Sequence, residues 1–316
     1  MEQQHIQPAG TQTGEAEAIF IVGVSRSGTT LTRRILDRHS RIGIATENHY
    51  LGHLLAWEGA RHYFRRLGDL HDDATVRRLV DLIYSPEFQR RSRWRELSPY
   101  WRWLTERVPR ADIEARLLAS DRTERGVFES FLRIYADRRG KAIMGEKTPA
   151  HLAYVETLLE WFPDARVVHC MRDPRAIYVS ELRRRGEAPA SVPYRQLVHA
   201  SALLAAFVLL QVTWAWAAAV HRHRTLSHRF PERYRLLSFE GLVRAPEATL
   251  TDLCDFLGVG VEPRMLEQRV TSRGARVGEV GFDAGAADRW RGQISGRARR
   301  SIERLLGRRL AEMGYR

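Results

Sequence analysis

Lysine is nearly missing from this chain: of 51 basic residues only Lys141 and Lys147 are lysines, and arginine supplies the rest. Cysteine is equally scarce. Cys170 and Cys254 lie far apart and form no ligand-like pair, which excludes a disulfide framework or a thiolate zinc site and suits a reducing, cytoplasmic setting. Residues Met1 to Glu17 lack the basic-then-apolar order of a signal peptide, so 1–17 is expected to be a flexible tail. No internal repeat or low-complexity tract appears. What is present is 316 residues, 44% hydrophobic and 28% charged, enough to bury a large core and to exclude a mostly disordered chain. The 51 basic against 38 acidic residues leave +13, which points to an anionic partner: nucleic acid, a membrane surface or a phosphorylated small molecule. Scattered arginines also simply solvate helix faces, so the charge alone does not choose.

The pattern is α/β. Ala18-Ile-Phe-Ile-Val22 is a continuous apolar run ending in glycine, as in a buried parallel strand, and Thr29 to Arg38 reads as the helix that follows. A second strand is expected at Ala165 to Cys170, with Asp173 as cap and Pro174 in the first turn of the next helix. A third, Tyr234 to Phe239, precedes a helix from Pro246 to Leu257 stopped by Gly258, and Ser295 caps a closing helix. Alternating strands and helices predict a central parallel sheet flanked by helices, in one domain over 18–316. Residues 50–141 read as a helical insertion crowded with Arg, Trp and Tyr, among them Trp94, Tyr100, Trp101 and Trp103. It is expected on the acceptor side, as a substrate lid or as a small aromatic core. Ser201 to Val220 is long enough, at about 1.5 Å per residue, to cross a bilayer. Gln211, Thr213, the small alanines and the continuation into His221 to Arg229 favour a buried core helix, so no stable membrane insertion is expected.

Gly23-Val-Ser-Arg-Ser-Gly28-Thr29-Thr30 has the glycine spacing of a phosphate-binding loop, in which backbone N–H groups converge on an anion at a helix N-terminus. The nucleotide-triphosphatase form needs Lys after the second glycine; here Thr29 stands there and the cation is Arg26, inside the loop. That weakens a P-loop small-molecule kinase as an alternative. A nucleic-acid-binding protein, the other alternative, finds no recognisable binding module, so no nucleic-acid partner is expected.

The run from Ile19 to Leu31 resembles the 5'-phosphosulfate loop of sulfotransferases that use 3'-phosphoadenosine 5'-phosphosulfate (PAPS). Arg172-Asp-Pro-Arg-Ala-Ile-Tyr-Val-Ser180 is similar to that family's 3'-phosphate motif, and Phe239-Glu-Gly-Leu-Val, Pro246 to Leu250, Phe256 to Gly258, Trp290 and Gly314-Tyr315 extend the likeness to Tyr315. It is nearest the bacterial and tyrosylprotein-type branch. The resemblance implies a P-loop-like fold, PAPS as donor, adenosine 3',5'-bisphosphate as product, no metal, and a hydroxyl acceptor, less readily an amine, on a small molecule, glycan or peptide. Donor contacts are expected from Arg26, Ser27, Gly28, Thr29, Thr30, Arg172, Ser180, Phe239 and Arg289, with Arg273 and Arg276 as further candidates. Phe239 stands where the family often carries Tyr.

Sulfuryl transfer, like phosphoryl transfer, is an in-line displacement through a loose transition state, so positioning and charge stabilisation dominate. Arg26 is assigned to the transferring oxygens. Lys147 in Gly145-Glu-Lys-Thr-Pro149 is assigned to the bridging oxygen, where the resemblance implies a catalytic lysine and where a compact ammonium in an arginine-rich chain is notable. Thr148 is expected to cap a helix there. The resemblance puts the general base at Glu47 in Ala45-Thr-Glu-Asn-His49, with His49 as the other candidate.

Overall fold

A computed structural model describes residues 16–52, 59–85, 88, 98–187, 199–270 and 278–315. Five strands, β1 (Ala18–Gly23), β2 (Ile42–Ala45), β3 (Ile143–Lys147), β4 (Arg166–Met171) and β5 (Tyr234–Ser238), form one sheet in the order β2-β3-β1-β4-β5. Every pairing is parallel. All six residues of β1 are buried because both faces are covered, which is why its sequence is a continuous apolar run rather than an alternation. Ala18, Phe20 and Val22 face one core, and Ile19 and Ile21 the other.

Helix α1 (Thr29–Leu36) follows β1, and α2 (Ala60–Arg65), α3 (Asp73–Tyr84), α4 (Pro99–Arg107), α5 (Arg110–Leu118) and α6 (Glu124–Asp137) lie between β2 and β3. This insertion is built on aromatic packing. Tyr50 stacks on Phe128 at 4.8 Å between centroids, and Trp101 meets Phe131 edge-on at 5.1 Å. Phe20 of β1 joins the same cluster through Phe128. The insertion's rings therefore form a core continuous with the sheet; Trp94 lies outside the described residues.

After β3 come a 3-10 turn (Pro149–Tyr154) and α7 (Val155–Trp161); α8 (Pro174–Glu187) follows β4, and α9 (Ser201–Arg229) leads to β5. Then come α10 (Phe239–Arg244), α11 (Pro246–Leu257) and α12 (Gly296–Glu312). Four local expectations need correction. Thr148 does not cap a helix: its hydroxyl donates to Glu146 Oε2 at 2.7 Å, and the chain continues as a 3-10 turn. Phe239 opens α10 instead of closing β5, because Ser238 caps that helix by accepting from the Gly241 N–H. Helix α9 buries only one face, with Leu204, Val208, Val212, Trp216 and Ala219 at helical spacing, while Leu203, Leu210 and Trp214 are each more than 60% exposed. By length and composition it is apolar enough to cross a membrane. At the N-terminus, Ala16 is buried and donates to Leu257 O at 3.2 Å, so the expected tail is already anchored two residues before β1.

Candidate active site

β1 connects towards β2 and β4 towards β5, so the chain leaves these two adjacent strands in opposite directions. Their carboxyl ends flank the switch point, where open α/β sheets hold ligands. Gly23 pairs with Cys170 there, and the backbones approach so closely that a Cβ on Gly23 would sit 2.4 Å from the Cys170 carbonyl oxygen.

The loop from Gly23 to Gly28 is wound tightly: Gly23, Arg26 and Gly28 have φ of 143°, 73° and 90°. A non-glycine residue held in the left-handed region costs on the order of 1 kcal/mol, so surrounding contacts must hold Arg26 there. One of them is long-range. Arg26 Nε donates to Ser180 Oγ at 2.9 Å, tying the loop to α8 across the switch point. Arg172, just after β4, donates to Arg26 O at 3.3 Å and Ala286 O at 2.9 Å, and its guanidinium lies 4.0 Å above the Phe239 ring. Desolvation, opposed by Glu240 and reinforced by Arg26, lowers its pKa to about 10. Desolvation also lowers that of Arg26, with Glu181 opposing and Arg184 and Arg183 adding to the shift.

These elements enclose a cavity of about 580 Å³. Arg26, Gly28, Thr29, Thr30, Arg172, Ser180, Phe239 and Arg289 all line it, so most of the expected donor contacts converge on one space. Ser27 is buried behind the loop, and its Oγ has no hydrogen-bond partner; the Nε of Arg172 has none either. Arg289 faces the cavity but is paired with the buried Asp283. Arg273 and Arg276 lie outside the described residues. Arg34, Arg183, Arg184 and Arg269 also line the space and were not anticipated. For Arg183 and Arg184 a signal existed, since three and four residues beyond Ser180 share its helix face. Among the described lining residues are seven arginines and two acids, Glu187 and Asp283, with Glu181 behind them paired to Arg184, so the cavity carries an excess of positive charge.

Glu47, His49 and Lys147 form a second group that does not line this cavity. Lys147 ends β3 beside β1, opposite Ile21, and its Nζ donates to Glu47 Oε1, two residues beyond β2. His49, at φ 50°, places Nε2 3.4 Å from Glu47 Oε2. Burial alone would raise the Glu47 pKa, but hydrogen bonds from His49 and Lys147 and the Lys147 charge outweigh it and hold the carboxyl far below its usual range. The two residues assigned opposite proton roles thus neutralise each other.

A family model described as the sulfotransferase family matches residues 18–263. Across solved structures, the sulfotransferase domain from the curacin biosynthetic pathway superposes with a TM-score of 0.52 at 21% identity, covering 96% of this chain and 99% of that one. The sulfotransferase domain of the Synechococcus PCC 7002 olefin synthase gives 0.49 at 20%, covering 96% and 98%. An uncharacterized protein of Aquifex aeolicus (strain VF5) is 24% identical over 287 residues, 86% of this chain; the chain spans only 30% of that relative's length.

Proposed function

Given that the chain belongs to the sulfotransferase family, we propose that it transfers a sulfuryl group from PAPS to an acceptor hydroxyl, less readily an amine, and releases adenosine 3',5'-bisphosphate. The observation that carries this reading is the cationic cavity bounded by two strand-to-helix turns and bridged by the Arg26–Ser180 hydrogen bond. A donor with anions at both ends calls for two such turns at a fixed separation. The residues present fit it: Arg26, Arg172 and Ser180 line the cavity beside the loop glycine Gly28 and the first residues of α1, Thr29 and Thr30.

When bound, PAPS supplies the activated sulfuryl group. The loop N–H groups of Ser27 to Thr30 and Arg26 hold its phosphosulfate end, and Arg172 and Ser180 its 3'-phosphate. Arg26 stabilises charge on the transferring oxygens. On this reading Lys147 would neutralise the bridging oxygen of bound donor, which would free Glu47 of the ammonium that depresses its pKa. Its proton affinity then rises as it receives the acceptor's proton, and no metal enters. The acceptor approaches from the insertion side, where Glu47 meets residues 48–51. A cytoplasmic location accords with two buried free thiols.

Thermal shift tests the reading. Adenosine 3',5'-bisphosphate at 100 times its dissociation constant adds about 2.7 kcal/mol of stability, whereas ATP with magnesium adds little; the reverse ranking would replace this reading with a kinase.

A further inference from the structure

Beside Lys147 on β3 lies a carboxylate that the chemistry above does not use. Glu146 is 1% exposed, and by strand alternation its side chain points to the sheet face opposite that of Lys147, among the helices of the insertion. Burying a carboxylate is costly unless each oxygen is satisfied. Here each is: Oε1 faces His151 Nδ1, and Oε2 accepts from the Thr148 hydroxyl at 2.7 Å. Both partners then reach onward to one short segment. Thr148 Oγ1, its proton committed to Glu146, accepts from the Asn48 N–H at 3.3 Å, and His151 Nε2 accepts from the Leu51 N–H at 3.3 Å. A ring nitrogen that accepts from Leu51 carries no proton, so neutral His151 holds its proton on Nδ1 and donates it to Glu146.

The segment so held is the one that carries Glu47 and His49. Asn48, the chain's single asparagine, accepts through its carbonyl from Trp101 Nε1 at 2.9 Å and through Oδ1 from the Tyr50 N–H at 2.9 Å. Asn48, Thr148, His151 and Glu146 are all buried. We propose that Glu146 is a positioning residue: through Thr148 and His151 it fixes the backbone of residues 48–51 and so holds Glu47 against Lys147. The inference rests on the reading of Glu47 as the base, and it assigns the insertion a task at the site, with Trp101 closing the same network from the far side.

The polarity of the network makes the isosteric change informative. In Glu146→Gln the amide donates at one of the two positions. Placed at His151, it needs Nδ1 as acceptor, which moves the ring proton to Nε2 and against the Leu51 N–H. Placed at Thr148, it leaves the hydroxyl proton without an acceptor. The test is nitrogen-15 NMR of the histidine rings and carbon-13 titration of labelled Glu47 in the full chain, free of ligand, for Glu146→Gln, Thr148→Val and Thr148→Ser. The wild type is expected to show the Nδ1–H tautomer at His151 and a depressed Glu47 titration. Glu146→Gln and Thr148→Val shift the Glu47 midpoint upward by at least one pH unit, and Thr148→Ser restores it. Affinity for adenosine 3',5'-bisphosphate stays within twofold of wild type, because the cavity borrows nothing from this network. A lowered melting temperature with the Glu47 titration unchanged would make Glu146 a stability residue only and overturn the proposal. If Glu146→Gln does not fold, Thr148→Val against Thr148→Ser decides the matter. Failure of the functional reading is separate: it appears as absence of bisphosphate binding in the wild type, which these titrations do not touch.

Discussion

The β1–β4 half of the sheet edge and the β2–β3 half are charged in different ways. Seven arginines and two acidic residues line the cavity, with Glu181 behind them paired to Arg184. Beside it Lys147 and Glu47 cancel each other, and Glu146 has both oxygens bonded. One half carries an excess of positive charge; the other is neutralised within itself. On the proposed function, affinity for the donor and readiness for chemistry rest on separate groups of residues.

Substitutions on either side should break this division in different ways. Arg26→Ala removes both the cation and the tie to Ser180, and is expected to weaken adenosine 3',5'-bisphosphate by on the order of 10²-fold, with turnover lost as well; calorimetric titration measures it. Glu47→Gln is expected to cut turnover of PAPS by about 10²-fold while leaving bisphosphate affinity unchanged. Full activity in that variant would move the base to His49. Smaller again, Arg172→Ala and Ser180→Ala should each weaken the bisphosphate by about tenfold, a loss of roughly 1.4 kcal/mol, and weaken a nucleotide lacking the 3'-phosphate much less. The smallest effect is on stability. Glu47 has a folded pKa depressed below its unfolded value, so its contribution is fully present above the unfolded value near 4.5 and disappears as pH falls below it. Denaturant unfolding of wild type should therefore lose more stability between pH 5 and pH 3 than that of Glu47→Gln.

The cavity half of the sheet edge was legible in the sequence because its signals are local. The loop glycines adopt positive φ, Asp173 Oδ1 accepts from the Arg175 N–H at 2.8 Å as the expected cap, and Ser295 caps α12. Glu47 and Lys147 are 100 residues apart, and only the resemblance suggested both. No periodicity could show that they pair, because pairing depends on β2 lying next to β3. Thr148 looked like a cap because Thr before Pro usually is one; a buried carboxylate two residues earlier took its hydroxyl instead. In α9 the apolar composition signalled burial, but composition does not say which face a neighbour covers, and Leu203, Leu210 and Trp214 remain exposed.

The adjacency of β2 and β3 has an architectural consequence. Ile42 pairs with Ile143 and Ala45 with Glu146 in parallel, so the helical insertion leaves β2 at one end of the sheet and re-enters β3 at the other, roughly 10 Å back along the strands at about 3.3 Å per residue and one strand over. Its two ends therefore lie at opposite ends of the sheet, and only its departure from β2 is at the carboxyl end, where β1 and β4 open onto the cavity. At that departing end Asn48 is held by Thr148, just beyond β3, and by Trp101 of the insertion.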